Sequence, residues 1–167
     1  MKKIIIPILL TLVILAVASG CVSLVPNQAT LQEFEGVKTK YAPVAFPTTA
    51  GALGDYISEL SLLRTRSSLS VASVVDAELN AAQAFYYYNL AINEFTTLDF
   101  SVCDAKGVNQ TEAFIVLTKK YANLAINSYN LTSSSERAYL NPNQAELNEY
   151  MLVSAENINI EIQNNCQ

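Results

Sequence analysis

The chain has 167 residues, with 10 Lys and Arg against 15 Asp and Glu, a net charge of −5 and no histidine. That length suffices for one domain with a sizeable core. An acidic balance without a basic patch excludes nucleic acid as a partner, and the missing imidazole removes the commonest general base, the Ser-His and Cys-His pairs and the usual zinc and di-iron ligands.

Met1-Lys2-Lys3 forms a short basic start, and no charged residue follows from Ile4 to Ala18. A stretch of ~15 apolar residues matches the core of a signal peptide and falls short of the ~20 that a bilayer-spanning helix needs. The small residues Ala18, Ser19 and Gly20 then precede Cys21. This junction resembles the lipobox of prokaryotic lipoproteins, with Ala18 where leucine is usual. The resemblance covers the first 21 residues only and no family is indicated for the remainder. It implies a signal peptide over 1–20, cleavage before Cys21 and a diacylglycerol on that cysteine's thiol. The protein would then sit on the extracytoplasmic face of the cell membrane, its two acyl chains holding firmly where one would not. Cleavage takes Lys2 and Lys3, two of the 10 basic residues, and leaves 8 against 15 acidic ones. Apart from Cys21 the cysteines are Cys103 and Cys166, and an even pair outside the reducing cytosol reads as a disulfide.

Residues 21–49 lack a sustained helical period and hold Pro26, Pro43 and Pro47. They read as the acylated cysteine followed by a flexible tether with a reach of ~30 Å, in which Val44-Ala45-Phe46 is the segment able to pack on the domain. Residues 50–167 form the domain itself. Leu53, Ile57 and Leu60 share a face and predict a short helix over 50–64. Val71, Val74, Glu78, Ala81, Phe85, Tyr88, Ile92 and Phe95 repeat at three and four and predict a long amphipathic helix, with Glu78 the misfit on its apolar stripe. Ser67 and Ser68 either cap that helix or bend a longer one.

Thr96 to Val108 breaks the period. Asn109-Gln110-Thr111-Glu112 has the form of a capping box, and Phe114, Leu117, Tyr121, Leu124 and Leu131 carry a third helix to about 132. A serine cluster at 133–135 ends it. Asn141-Pro142-Asn143-Gln144 starts a fourth helix, which Leu147, Met151, Ser154, Ile158 and Ile162 extend to about 163. Strand signals are missing. The fold class is therefore all-α, an up-down bundle of about four helices behind a signal peptide and tether. The segment 87–95 is similar to 121–129; a tetratricopeptide repeat would need a second helix per period, so two bundle helices of similar sequence fit better. Alternating helix direction brings Cys103, after the second helix, to the same end as Cys166, after the fourth. Phe85, Tyr88, Ile92, Leu117, Tyr121 and Leu124 are the expected core.

Sites are sparse. Glu146 and Glu149 form no metal set without a histidine and read as an exposed acidic face. Asp104-Ala105-Lys106-Gly107 matches a calcium loop too poorly to count. The chain reads as no enzyme, with no cofactor and no metal. Four consecutive aromatics, Phe85 to Tyr88, cannot all face inward on a helix turning ~100° per residue, which leaves Tyr86 and Tyr87 as a candidate binding surface together with the asparagines Asn123 and Asn127. Asn109 and Asn130 head glycosylation sequons. The expected role is structural or a protein contact in the cell envelope, through the membrane anchor and an envelope protein partner; the alternative is a small-ligand module using an Asn- and Tyr-lined groove.

Overall fold

The computed structural model describes residues 25–166, so Cys21 and the signal-like stretch lie outside the described residues. Among the described residues six helices follow one another: α1 (Val25–Tyr41), α2 (Ala50–Arg66), α3 (Leu69–Thr97), α4 (Ala105–Leu131), α5 (Ser134–Arg137) and α6 (Gln144–Cys166). No strand occurs among the described residues, and the fold is an all-α bundle. The long helices α3, α4 and α6 pack together, α3 and α4 sharing the most extensive interface, and α1 and α2 lie against the N-terminal part of α3.

The expected tether is the first correction. Residues 25–41 are helical, and Phe34 on α1 is completely buried against α2 and α3. Leu31, Phe34, Val37 and Tyr41 recur at three and four and supply the apolar face. Pro26 sits in the first turn, where a backbone N–H has no helical partner to lose. After α1, Phe46 turns back on the domain, its ring 5.5 Å from Phe85 and 6.3 Å from Tyr56.

The later helices keep their expected order. Chain direction reverses between Arg66 and Leu69, where Ser67 closes α2 in an extended conformation. The start of α4 is one turn earlier than expected. Asp104, not Asn109, is the N-cap, its carboxylate accepting from the amides of Lys106 and Gly107, while Asn109 lies inside the helix. A side chain on Gly107 would place its Cβ 2.7 Å from Leu98 Cδ2, so the helix start and the preceding loop touch because that residue is glycine. The reciprocal capping box belongs instead to Ser133 and Glu136 at α5. At α6 the Asn141 side chain accepts from the Asn143 amide in a turn, and the helix begins at Gln144.

Cys103 and Cys166 are joined, with Cα atoms 5.4 Å apart across 63 residues of sequence. The bond ties the α3–α4 loop to the end of α6, as alternating helix direction requires. Cys103 holds φ at 48°, a left-handed conformation that non-glycine residues rarely adopt.

The core differs most from expectation on α4. Its buried residues are Thr111, Ile115, Thr118, Ala122 and Ala125; Leu117 and Tyr121 are only half-buried, and Leu124 is 40% exposed. The threonines fit because their hydroxyls donate to their own helix, Thr111 to the Gly107 carbonyl at 2.9 Å and Thr118 to that of Phe114 at 2.8 Å. Only the methyl group is then left to pack. Tyr88 is buried as expected, and Phe85 and Ile92 lie at the core's edge.

Candidate functional site

A cavity of about 620 Å³ lies among the end of α1, the loop after it, the middle of α3 and the start of α6. Exposed Pro43, Val44, Ala45, Pro142 and Asn143 form its rim, and buried Ala42, Glu78, Leu140 and Gln144 its deeper wall. The Asn141 side-chain amide donates to the Val44 carbonyl at 3.3 Å and so links the two rim loops. Phe46, Phe85 and Leu147 add apolar surface.

Two polar side chains on that wall are almost wholly buried, Glu78 at 2% and Gln144 at 1% exposed. Glu78 Oε1 accepts a hydrogen bond of 2.7 Å from the Tyr56 hydroxyl, whereas Oε2 has no protein partner. Gln144 Nε2 donates to the Ala77 carbonyl at 2.9 Å, which fixes the amide's orientation and leaves Oε1 unpartnered. Just beyond, Asn148 donates to the Gln144 carbonyl at 2.9 Å, and its own Oδ1 is also unpartnered. Burial pushes the Glu78 carboxyl above the usual carboxylate range, against the opposing pull of the Lys38 charge and the Tyr56 hydrogen bond. Burial likewise raises the Tyr56 hydroxyl, with the Glu78 charge adding to it. Lys38, also on the cavity wall, donates to the Tyr139 carbonyl at 2.6 Å.

Glu78 was legible as a carboxylate interrupting an apolar stripe. Its neighbours were not, because Lys38 belongs to a helix that the prolines disguised and Gln144 belongs to a segment that reads only as a helix start.

The structure does not bring the expected surface together. Tyr87 stacks on Tyr121, ring centroids 5.6 Å apart and planes 7° from parallel, and lies 6.4 Å from Phe114. Tyr86 meets Tyr87 edge-on at 5.4 Å. Both tyrosines are half-buried, Tyr87 against α4 and Tyr86 on the cluster around Phe34 and Tyr56. Asn123 and Asn127 are exposed on α4, roughly opposite its buried stripe at ~100° per residue. Asn123 spends its side-chain amide on the Lys119 carbonyl at 2.8 Å. None of these four residues lines the cavity described above.

Glu146 and Glu149 are both exposed. Among the described residues no three Cys, Asp or Glu side chains cluster as a metal site. Asn109 and Asn130 are exposed, but the threonines of their sequons are buried, and both hydroxyls are bonded to their own helix. No described helix is long and apolar enough to cross a membrane. Comparison with family models, curated proteins and solved structures finds no match to this chain.

Proposed function

We propose that this chain is a lipid-anchored, extracytoplasmic binding module whose bundle holds a small molecule in the cavity beside α1, α3 and α6. The observation that carries the reading is the pair Glu78 and Gln144, buried on the cavity wall with one oxygen apiece unpartnered. An unsatisfied buried acceptor costs ~1–3 kcal/mol, and a ligand that donates to it recovers that loss. The volume falls within the ~300–1,000 Å³ of ordinary ligand pockets, and the mixture of apolar walls with a few polar groups is typical of them. The anchor rests on the sequence Ala18-Ser19-Gly20-Cys21 and its likeness to the lipobox.

A thermal-shift screen of small molecules against the full chain tests the binding half. A ligand at a hundred times its Kd stabilises by ~2.7 kcal/mol. Ala42→Leu, which fills the cavity at a buried lining position, should abolish that shift. Persistence of the shift in this variant would place the ligand elsewhere. For the anchor, intact-mass analysis of the membrane fraction should show loss of residues 1–20 and a diacyl adduct on Cys21. A soluble product with a bare thiol would overturn it.

A structural or protein-contact role in the envelope is the second reading. Val116, Leu124 and Leu131 favour it, since all three are exposed along α4. Crosslinking from this face in intact cells should capture one defined envelope protein if that reading holds.

A further inference from the structure

We infer that the cavity takes a short zwitterion with an apolar body, an apolar α-amino acid being the simplest form, its ammonium at Glu78 and Gln144 and its carboxylate at Lys38. The inference rests on the cavity being a binding site and names what that site selects.

The argument begins with hydrogen-bond polarity. Tyr56 already donates to one Glu78 oxygen, and Gln144 already spends its amide nitrogen on Ala77. The residues of this part of the wall leave two buried acceptors unpartnered, Glu78 Oε2 and Gln144 Oε1, which a ligand in the cavity reaches by a small side-chain movement. A ligand group that carries several donors in a small volume suits them, and an ammonium carries three. Hydroxyls would also donate, but they bring no charge. Burial already disfavours the ionised form of Glu78; a cation placed against it offsets that penalty, as charge-assisted hydrogen bonds do.

Lys38 supplies the second half. Its ammonium uses one donor on the Tyr139 carbonyl and lies 5.9 Å from the Phe34 ring centroid. Its charge is felt at Glu78, where it favours the ionised carboxylate. The wall thus offers a carboxyl group that a neighbouring cation would hold ionised and, at Lys38, an ammonium. A simple cation would leave positive charge in excess beside Lys38, and a simple anion would leave negative charge in excess beside Glu78. A zwitterion adds neither, and its two ends meet opposite partners. Between them Phe46, Phe85, Leu140 and Leu147 provide apolar surface for the body of the ligand.

Calorimetry on the full chain with three probes sharing one phenyl ring tests this. L-phenylalanine has both charges, 2-phenylethylamine lacks the carboxylate and 3-phenylpropanoate lacks the ammonium. Phenylalanine should bind at least about tenfold more tightly than either, since each charge-assisted contact contributes upwards of ~1.5 kcal/mol. Glu78→Gln should erase its advantage over phenylpropanoate, and Lys38→Met its advantage over phenylethylamine, with circular dichroism verifying the fold of each. Lys38 is only half-buried, so its variant keeps the test open should Glu78→Gln fail to fold. Equal binding of a one-charge probe, or variants that change nothing, would overturn the zwitterion while leaving the cavity a binding site. Phenylalanine failing where another compound in the thermal-shift screen succeeds would do the same. If no compound binds at all, the binding reading falls with it.

Discussion

Toward its N-terminus α3 sets Val71, Val74 and Val75 against Phe34, Tyr56, Leu60 and Leu63, large side chains from α1 and α2. Toward its C-terminus it sets Ala84 and Ala91 among Ala122, Ile115, Ala155 and Ile162 of α4 and α6. The small residues let three long helices approach closely and fill the space between them. The large ones bridge wider gaps, and irregular gaps of that kind leave room beside them. The cavity and the buried carboxylate lie beside this large-residue part and reach the middle of α3 at Phe85. The disulfide and the tight alanine seam lie at the other end. On the proposed reading, one end holds shape and the other holds the ligand.

The strongest challenge to this division is removal of Phe34. If α1 is a packed part of the domain, Phe34→Ala opens a cavity in the large-residue end and should cost ~3–5 kcal/mol. Chemical denaturation gives the answer directly. A loss under about 0.5 kcal/mol would mean that 25–41 behaves as a tether and that Lys38 contributes nothing fixed to the cavity.

At the small-residue end the comparable element is the bond between Cys103 and Cys166. Closing a loop of 63 residues stabilises by ~4 kcal/mol on the chain-entropy model, with ~2–4 kcal/mol usual in practice. A double Cys→Ser variant should unfold at correspondingly lower denaturant. Its cavity should be unaffected, because α1 and the loop after it lie at the opposite end of α3. Loss of ligand-induced stabilisation in this variant would show that the two ends are coupled.

Tyr56→Phe probes the buried carboxylate. It strips Glu78 of its hydrogen bond and should cost ~1–3 kcal/mol at neutral pH. The pH dependence gives the sharper reading. Glu78 is raised in the folded state above its ordinary value of 4.5, so the folded chain binds its proton more tightly than the unfolded chain does. Stability from this group is therefore full below that ordinary value and declines as pH rises through the folded one. Losing the Tyr56 donor, which favours the ionised form, raises Glu78 further and extends the decline to higher pH. A decline ending at the same pH as in the parent would mean that the Tyr56 hydroxyl does not act on the Glu78 carboxyl.

How far these features could be read from sequence depends on what each leaves in the chain. Helices α2, α3 and α6 were visible because apolar residues recur along them at helical spacing, and their serine and asparagine boundaries mark the breaks. Helix α1 was hidden by composition. Pro26 and the exposed charged residues outweigh Leu31, Phe34 and Tyr41, although these three keep the period. The bridge from Cys103 to Cys166 followed from helix direction alone. The site was legible in one residue, Glu78, set in an apolar stripe. Its partners come from α1, α2 and α6, and nothing local at Tyr56, Lys38 or Gln144 points to a shared wall. The candidate surface of Tyr86, Tyr87, Asn123 and Asn127 is split between a stacked pair and an exposed face. Residue type suggested binding; Tyr87 stacks on Tyr121, and Asn123 and Asn127 lie exposed on α4 away from its buried stripe.

The smallest expected effect decides which face of α4 belongs to the seam. Size and hydrophobicity favour Leu117, Tyr121 and Leu124; the structure buries Thr118, Ala122 and Ala125 instead. Leu124 is 40% exposed, so Leu124→Ala should change stability by no more than about 0.5 kcal/mol. Ala122 is fully buried against Ala84, Tyr88 and Met151, and Ala122→Leu must push helices apart or force strained rotamers, at ~1–3 kcal/mol. The pair inverts the usual rule that truncating leucine harms and enlarging alanine does little. It does so because closeness between α3 and α4 is set by the side chains that are missing volume. If Leu124→Ala proved the costlier change, the helix would be rotated by about one residue, ~100°. Thr118 would then turn toward solvent, and the close alanine seam that separates this end of α3 from the other would not exist.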